Sequence, residues 1–247
     1  IVTSVPPARR NLAMGVKQVG VTAGSGGAAL LVNGLAALVA WRTGFWVVAG
    51  VALATTLAFA VLYDDSGGDG EMRWPDLRGL GDDPTYVRLV AAGFFVGASI
   101  FTTVGYTVLY VDEAVGTGVA FAGLVLTLAQ VTGSIGRLGG GALADRLGGG
   151  AGGAVVVMLG QVGLALFGFG VLSVGVYSPA VTAGLFAVIG ISVLGTTGLY
   201  YSIMGELVPD EDIGAASAGG QTAVNVGGLI TPPLFGLLAD GVGYRAG

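Results

Sequence analysis

Few residues of this chain can do chemistry, and their types and spacing limit what that chemistry can be. The stretch Ser134–Gly150, SIGRLGGGALADRLGGG, gathers Arg137, Asp145 and Arg146 between two apolar runs that are each long enough to cross a bilayer. Read as a charged, glycine-rich reverse turn, it offers a carboxylate and two guanidinium groups to neighbouring helix ends at the edge of a membrane. Asp145 is expected against the positive amino-terminal end of the first apolar run, near Asn11, while Arg137 or Arg146 is expected to pair with Glu206 at the end of a later run. Such a charged turn either keeps the chain in water and fixes topology or, where its contacts differ between two conformations, acts as a gate.

Uncharged polar residues recur at helical spacing inside the apolar runs. Thr102, Tyr106 and Tyr110 stand at i, i+4 and i+8, on one helix face. Similar stripes are formed by Gln130, Ser134 and Arg137, by Thr196 and Tyr200, by Gln221 and Asn225, and by Gln18, Thr22 and Ser25. Amides and hydroxyls in hydrocarbon either bond neighbouring helices or line a wetted path. Gln161 falls outside the pattern. Lys17 is the single lysine, about 9 Å along its helix. Its ammonium either snorkels to the interface or meets an anionic solute in a cavity.

Other chemistries are excluded by composition. The chain contains no histidine and no cysteine, which removes disulfides, thiol nucleophiles and histidine-based metal or acid–base chemistry. No pair of carboxylates lies inside an apolar run, so an enzyme is not expected, nor is any cofactor or metal. A retinal-binding reading fails because the last run has no lysine for a Schiff base. Nucleic-acid binding has no support in a net charge of −5. Acidic loops with one lysine among ten basic residues suggest a protein that works in high salt.

The elements that must position these residues are transmembrane helices. Apolar residues make up 53% and charged residues 10%, with a mean hydropathy of +0.84, against roughly 25% charged residues in soluble domains. The runs are continuous rather than alternating, which favours helices over barrel strands. Seven spans are expected, at about 11–40, 43–62, 85–110, 115–138, 151–173, 180–205 and 213–239. The 48 glycines, unfavourable in isolated helices by about 1 kcal/mol each, suit a bundle whose backbones approach closely.

Placing Arg9 and Arg10 in the cytoplasm puts eight basic residues on that side and leaves Arg42 and Arg245 outside. Trp41, Trp46, Tyr110 and Tyr177 then mark the outer interface, and Trp74 belongs to an inner loop. That loop, Tyr63–Pro84, is polar and acidic and reads as a cytoplasmic linker between two membrane units. Pro232 and Pro233 are expected to kink the last span. The opening IVTSVPPARR is no signal peptide and lacks an initiating methionine, so an internal piece of a longer chain is expected.

The run Gly141-Ala-Leu-Ala-Asp145-Arg146-Leu-Gly148 resembles the loop signature of the major facilitator superfamily, Gly-x-x-x-Asp-Arg/Lys-x-Gly, with its trailing basic pair replaced by Gly150 and Ala151. The segment RRNLAMGVKQVGVTAG is similar to the fifth helix of such transporters, although Thr22 stands where a proline is often found. Trp41-Arg42 with Phe45 is similar to the turn into the sixth. The resemblance implies an all-α polytopic membrane helix bundle of this type, with helices five to eleven of twelve in this piece. Residues 1–62 would then be the last two helices of the N-terminal bundle, 63–84 the central linker and 85–247 five helices of the C-terminal bundle, its last one missing.

The implied function is secondary active transport of a small solute across the cell membrane by alternating access, with or without a coupling ion. The lipid bilayer is then an obligatory partner, and the missing N-terminal helices are needed for activity. The implied substrate-cavity residues are Lys17, Gln18, Thr102, Tyr106, Gln130, Tyr200, Gln221 and Asn225. The implied cytoplasmic gate comprises Arg137, Gly141, Asp145, Arg146, Gly148 and Glu206. The alternative is a non-transporting membrane protein, or a degenerate fragment, that retains the fold.

Overall fold

The computed structural model describes residues 5–62, 81–208 and 212–242, without the side chains of residues 7, 25–38, 41 and 242. The expectations for the side chains of Ser25 and Trp41, for most of the linker with Arg73, Trp74 and Arg78, and for Arg245 lie outside the described residues. Among those described, all regular structure is helical. A short 3-10 turn leads into α1 (Arg10–Leu38), followed by α2 (Trp41–Leu62) and α3 (Pro84–Leu109). A π-helical turn, Tyr110–Ala114, prolongs α3. Next come α4 (Val119–Arg146), α5 (Gly150–Val174), α6 (Pro179–Ile189), a second π-helical turn at Gly190–Leu194, α7 (Thr197–Leu207) and α8 (Ile213–Val242). Among the described residues, six segments are long and apolar enough to span a membrane, with α6, the second π turn and α7 together forming one of them.

The chain divides into two compact units, Ile1–Val19 with Pro75–Gly247, and Gly20–Trp74. In the second unit, α2 is apolar on every side and exposes Phe45, Trp46, Leu57 and Phe59, as suits a helix surrounded by hydrocarbon. Thr55 and Thr56 bond back to the carbonyls of Val51 and Ala52 at 2.7 and 2.9 Å, which hides both hydroxyls from an apolar medium.

The first unit is built on close helix approach. A side-chain carbon at Gly97 of α3 would overlap the Val224 backbone of α8, and one at Gly227 of α8 would overlap Phe94 of α3. Here glycine replaces the large apolar side chains of a soluble core, because in lipid the attraction between helices is packing. The largest buried cluster among the described residues joins Tyr110 and Val111 of the first π turn with Val125, Ala129, Leu172, Phe186 and Ile189 from α4, α5 and α6. Asp83 starts α3, its side chain accepting from the Thr85 N–H at 2.8 Å with Pro84 next in sequence.

One expectation needs correction. The stretch Ser134–Gly150 is not a reverse turn throughout, because α4 runs on to Arg146 and only Leu147–Gly149 connects it to α5. Gly139, Gly140 and Gly141 suggest a turn by propensity, yet Gly140 and Gly141 are the points at which other segments come against the helix. The span expected at 180–205 is found at Pro179–Leu207. Within it a π turn at Gly190–Leu194 separates α6 from α7, which starts at Thr197.

Substituting Gly97→Ala should therefore destabilise the detergent-solubilised protein by about 3 kcal/mol, since a methyl group has no space against main chain. Gly105→Ala, which meets nothing within 4 Å, should be neutral or stabilising. Thermal unfolding followed by size-exclusion chromatography checks both, and equal effects would contradict the packing described.

Candidate functional site

The charged end of the first unit is a set of helix ends capped by carboxylates from elsewhere. The first N–H groups of a helix have no partner within it. In α1, the N–H groups of Asn11 and Leu12 donate to Asp145 Oδ1 and Oδ2 at 3.2 and 3.0 Å, and Asn11 Nδ2 donates to Oδ1 at 2.9 Å. One carboxylate thus receives three hydrogen bonds at the positive end of a helix. Asn11, fully buried, also donates to the Gly150 carbonyl at 3.3 Å. A side-chain carbon at Gly141 would lie 2.6 Å from the Asn11 carbonyl oxygen, and one at Gly15 would lie 2.5 Å from that of Arg137, so both glycines let the first turns of α1, within the first unit, lie against α4.

Glu206, near the end of α7, caps the other helix at this end. Its Oε2 accepts from the Ala151 N–H at 2.6 Å, where α5 begins. The expected pairing of Glu206 with Arg137 or Arg146 is therefore not found among the described residues, since the orphan N–H of a helix start takes the carboxylate instead. Gly148, Gly149 and Gly150 carry φ of +110°, +67° and +65°, a left-handed run that glycine adopts without strain. Arg146 is exposed.

Arg137 lies deeper, 6% exposed, at the break in the sixth span. Its Nε donates to the Leu194 carbonyl at 2.8 Å and a terminal nitrogen donates to the Gln18 carbonyl of α1 at 3.0 Å. Gln161 Nε2 donates to the Ile191 carbonyl of the same π turn at 3.3 Å. The turn is wrapped closely, for a side-chain carbon at Gly136 would overlap Ile191 and one at Gly190 would overlap Ala129. Gln161, the residue outside the sequence pattern, thus serves a carbonyl at a helix break.

The polar stripes separate into two groups. Thr102 bonds the Thr231 hydroxyl at 3.3 Å and the Tyr106 hydroxyl donates to the Pro232 carbonyl at 2.9 Å, so both fasten α3 to α8. They border a cavity of about 690 Å³ together with Phe169 and Ser173 of α5, Phe186 of α6 and Phe235 of α8. Gln221 and Asn225 are not among the residues lining it. Tyr200 is buried, its hydroxyl donating to the Leu89 carbonyl at 3.1 Å. Its neighbour Tyr201, absent from the sequence expectation, donates to Gln221 Oε1 instead, and Gln221 Nε2 donates to Asn225 Oδ1 at 3.0 Å. Gln221 and Asn225 are both exposed, about 12 and 18 Å along α8. Gln130 is half-buried, with its carbonyl taken by Ser134 at 3.1 Å, and Lys17 is exposed.

Comparison with known proteins gives one match. The family model described as Major Facilitator Superfamily matches residues 1–232. No curated protein and no solved structure matches the chain.

In a cysteine-free background, a single introduced thiol reports on this end of the bundle. In the full-length protein, Asp145→Asn should weaken the α1–α4 contact by about 2 kcal/mol, because an amide neither carries the charge nor accepts at both positions. Alkylation of Leu12→Cys should then accelerate severalfold, and Gly141→Ala should act in the same direction. An unchanged rate in both variants would show that Asp145 does not hold α1.

Proposed function

Because the chain belongs to the major facilitator superfamily, a family of membrane transporters, we propose that it moves a small solute across the cell membrane by alternating access, as a secondary active transporter. The observation that carries this reading is the uncharged strip Tyr201–Gln221–Asn225. Two exposed amides near the middle of an apolar helix are costly against lipid and stable against water, so this face borders the aqueous path and binds the solute through hydrogen bonds. Lys17, also exposed, adds a positive charge for an anionic solute.

The contact of Asp145 with α1 is the cytoplasmic gate, closed in the conformation described and released when the path opens inward. In this reading residues 1–62 belong to the first bundle, the linker faces the cytoplasm and residues 85–247 belong to the second bundle. The lipid bilayer is the surrounding partner, and a coupling ion accompanies the solute where transport is active. Thr102 and Tyr106 fasten α3 to α8 and contribute to stability rather than to solute affinity.

The test is uptake by the full-length protein in liposomes, screened with sugars, amino acids, carboxylates and organic cations. Gln221→Leu and Asn225→Leu should each lower uptake of the transported class by about tenfold, equivalent to one lost hydrogen bond to solute, whereas Tyr106→Phe leaves its apparent affinity within about twofold. Asn225→Cys should react with a membrane-impermeant maleimide. If that thiol stays unreactive from both sides of the membrane, the strip faces no aqueous path and the reading fails.

A further inference from the structure

We propose that Arg137 is a positioning residue that ties the α1 contact at the charged end of the bundle to the break in the sixth span, so that release of α1 moves α7. The proposal rests on the transporter reading above, in which that contact is a gate. Arg137 stands nine residues before the last residue of α4, about 14 Å into the helix, and is buried. A guanidinium at such a depth is stable while its N–H groups have acceptors and becomes unfavourable when one is withdrawn.

Two of its acceptors are main-chain carbonyls on different elements. One, Leu194, closes the π turn, and the other, Gln18, belongs to α1. A planar fork with several fixed donors can span both, which a lysine ammonium on a flexible stem does not reproduce. The bond to Gln18 exists only while α1 lies on α4. That position is held by Asp145 on Asn11 and Leu12 and by the approach of Gly15 to the Arg137 carbonyl.

When α1 leaves, the buried cation loses an acceptor and must turn, and its other partner, Leu194, turns with it. Leu194 lies three residues before the start of α7. That helix carries Tyr201, which holds Gln221 in the uncharged strip, and Glu206, which caps α5. The path from gate to strip is therefore a series of described contacts: Asp145 to α1, α1 to Arg137, Arg137 to the π turn, and the π turn to α7.

The experiment measures alkylation at two single cysteines in the full-length protein. Leu12→Cys reports on the α1 contact, and Ser202→Cys, at a position 3% exposed on α7, reports on the far side of the break. Each is read with and without Asp145→Asn, in the Arg137, Arg137→Lys and Arg137→Gln backgrounds. Asp145→Asn should accelerate Leu12→Cys in all three. At Ser202→Cys it should change the rate by about fivefold or more with Arg137 present and by less than about twofold in the other two.

The glutamine variant leaves no buried charge and keeps a donor for Leu194, so it carries the comparison if the lysine variant does not assemble. An Asp145→Asn effect at Ser202→Cys that is equal in all backgrounds overturns the role of Arg137 and leaves the gate standing. If Asp145→Asn moves neither reporter, the gate reading fails and this proposal fails with it.

Discussion

A main-chain carbonyl in hydrocarbon has no water to turn to, and the π turn in the sixth span departs from the regular helical ladder where no carbonyl can be left unpaired. The first unit depends on how that is solved. Leu194 and Ile191 receive donors from Arg137 of α4 and Gln161 of α5, so an irregular turn becomes the point at which three spans are joined. The surrounding glycines follow from the same need, because the turn can be reached only if α4 comes close enough for Gly136 to lie on Ile191 and Gly190 on Ala129. Most hydroxyls in the spans contribute little to this assembly. Thr103, Thr107 and Thr127 each bond the carbonyl four residues earlier in their own helix, which satisfies them without specifying a neighbour.

At the charged end the requirement falls on N–H groups instead. Asp83 caps its own helix, but Asp145 caps α1 across more than a hundred residues and Glu206 caps α5 from the end of α7. A local cap fixes where a helix begins, whereas a distant one also fixes which helix lies beside it. Gly148–Gly150 turn the chain tightly enough for Ala151 to face Glu206 while the Gly150 carbonyl still reaches Asn11. The loop motif is therefore less a loop than a junction of four helix ends.

Much of the fold was legible in the sequence, because a 20-residue apolar run has few alternatives to a helix. The starts of α3, α5 and α8 fall within one or two residues of expectation. What was not legible depended on neighbours. Three successive glycines read as a turn when only propensity is weighed, and although Asp145 is expected near Asn11, nothing in the sequence shows that Gly141 meets the same residue from within a helix. The π turn at Gly190–Leu194 contains no proline and packs closely against α4. Periodicity marked Thr102 and Tyr106 as one face without saying that it meets α8, and it could not choose between adjacent tyrosines. Tyr200 is the buried one, and Tyr201 is the one that meets the amides. Gln161 could be seen as an oddity, since an amide in a run otherwise apolar calls for a partner, though not for which one.

The two kinds of polar contact differ in how reversible they are. At the edge of the bundle, Asp145 and the N–H groups it holds could be taken up by water, so these hydrogen bonds contribute only about 1–3 kcal/mol to the α1 contact. A contribution of that size is one that a competing contact can offset. Arg137 is in the opposite position. It is buried, it joins carbonyls of α1 and the π turn, and water does not readily replace Gln18 beside it. The chain's single lysine, by contrast, is exposed, in keeping with a compact and strongly hydrated ammonium. Easy release at Asp145 would have no consequence deeper in the membrane unless something buried resisted it, and among the described contacts the guanidinium of Arg137 is the group placed to do so.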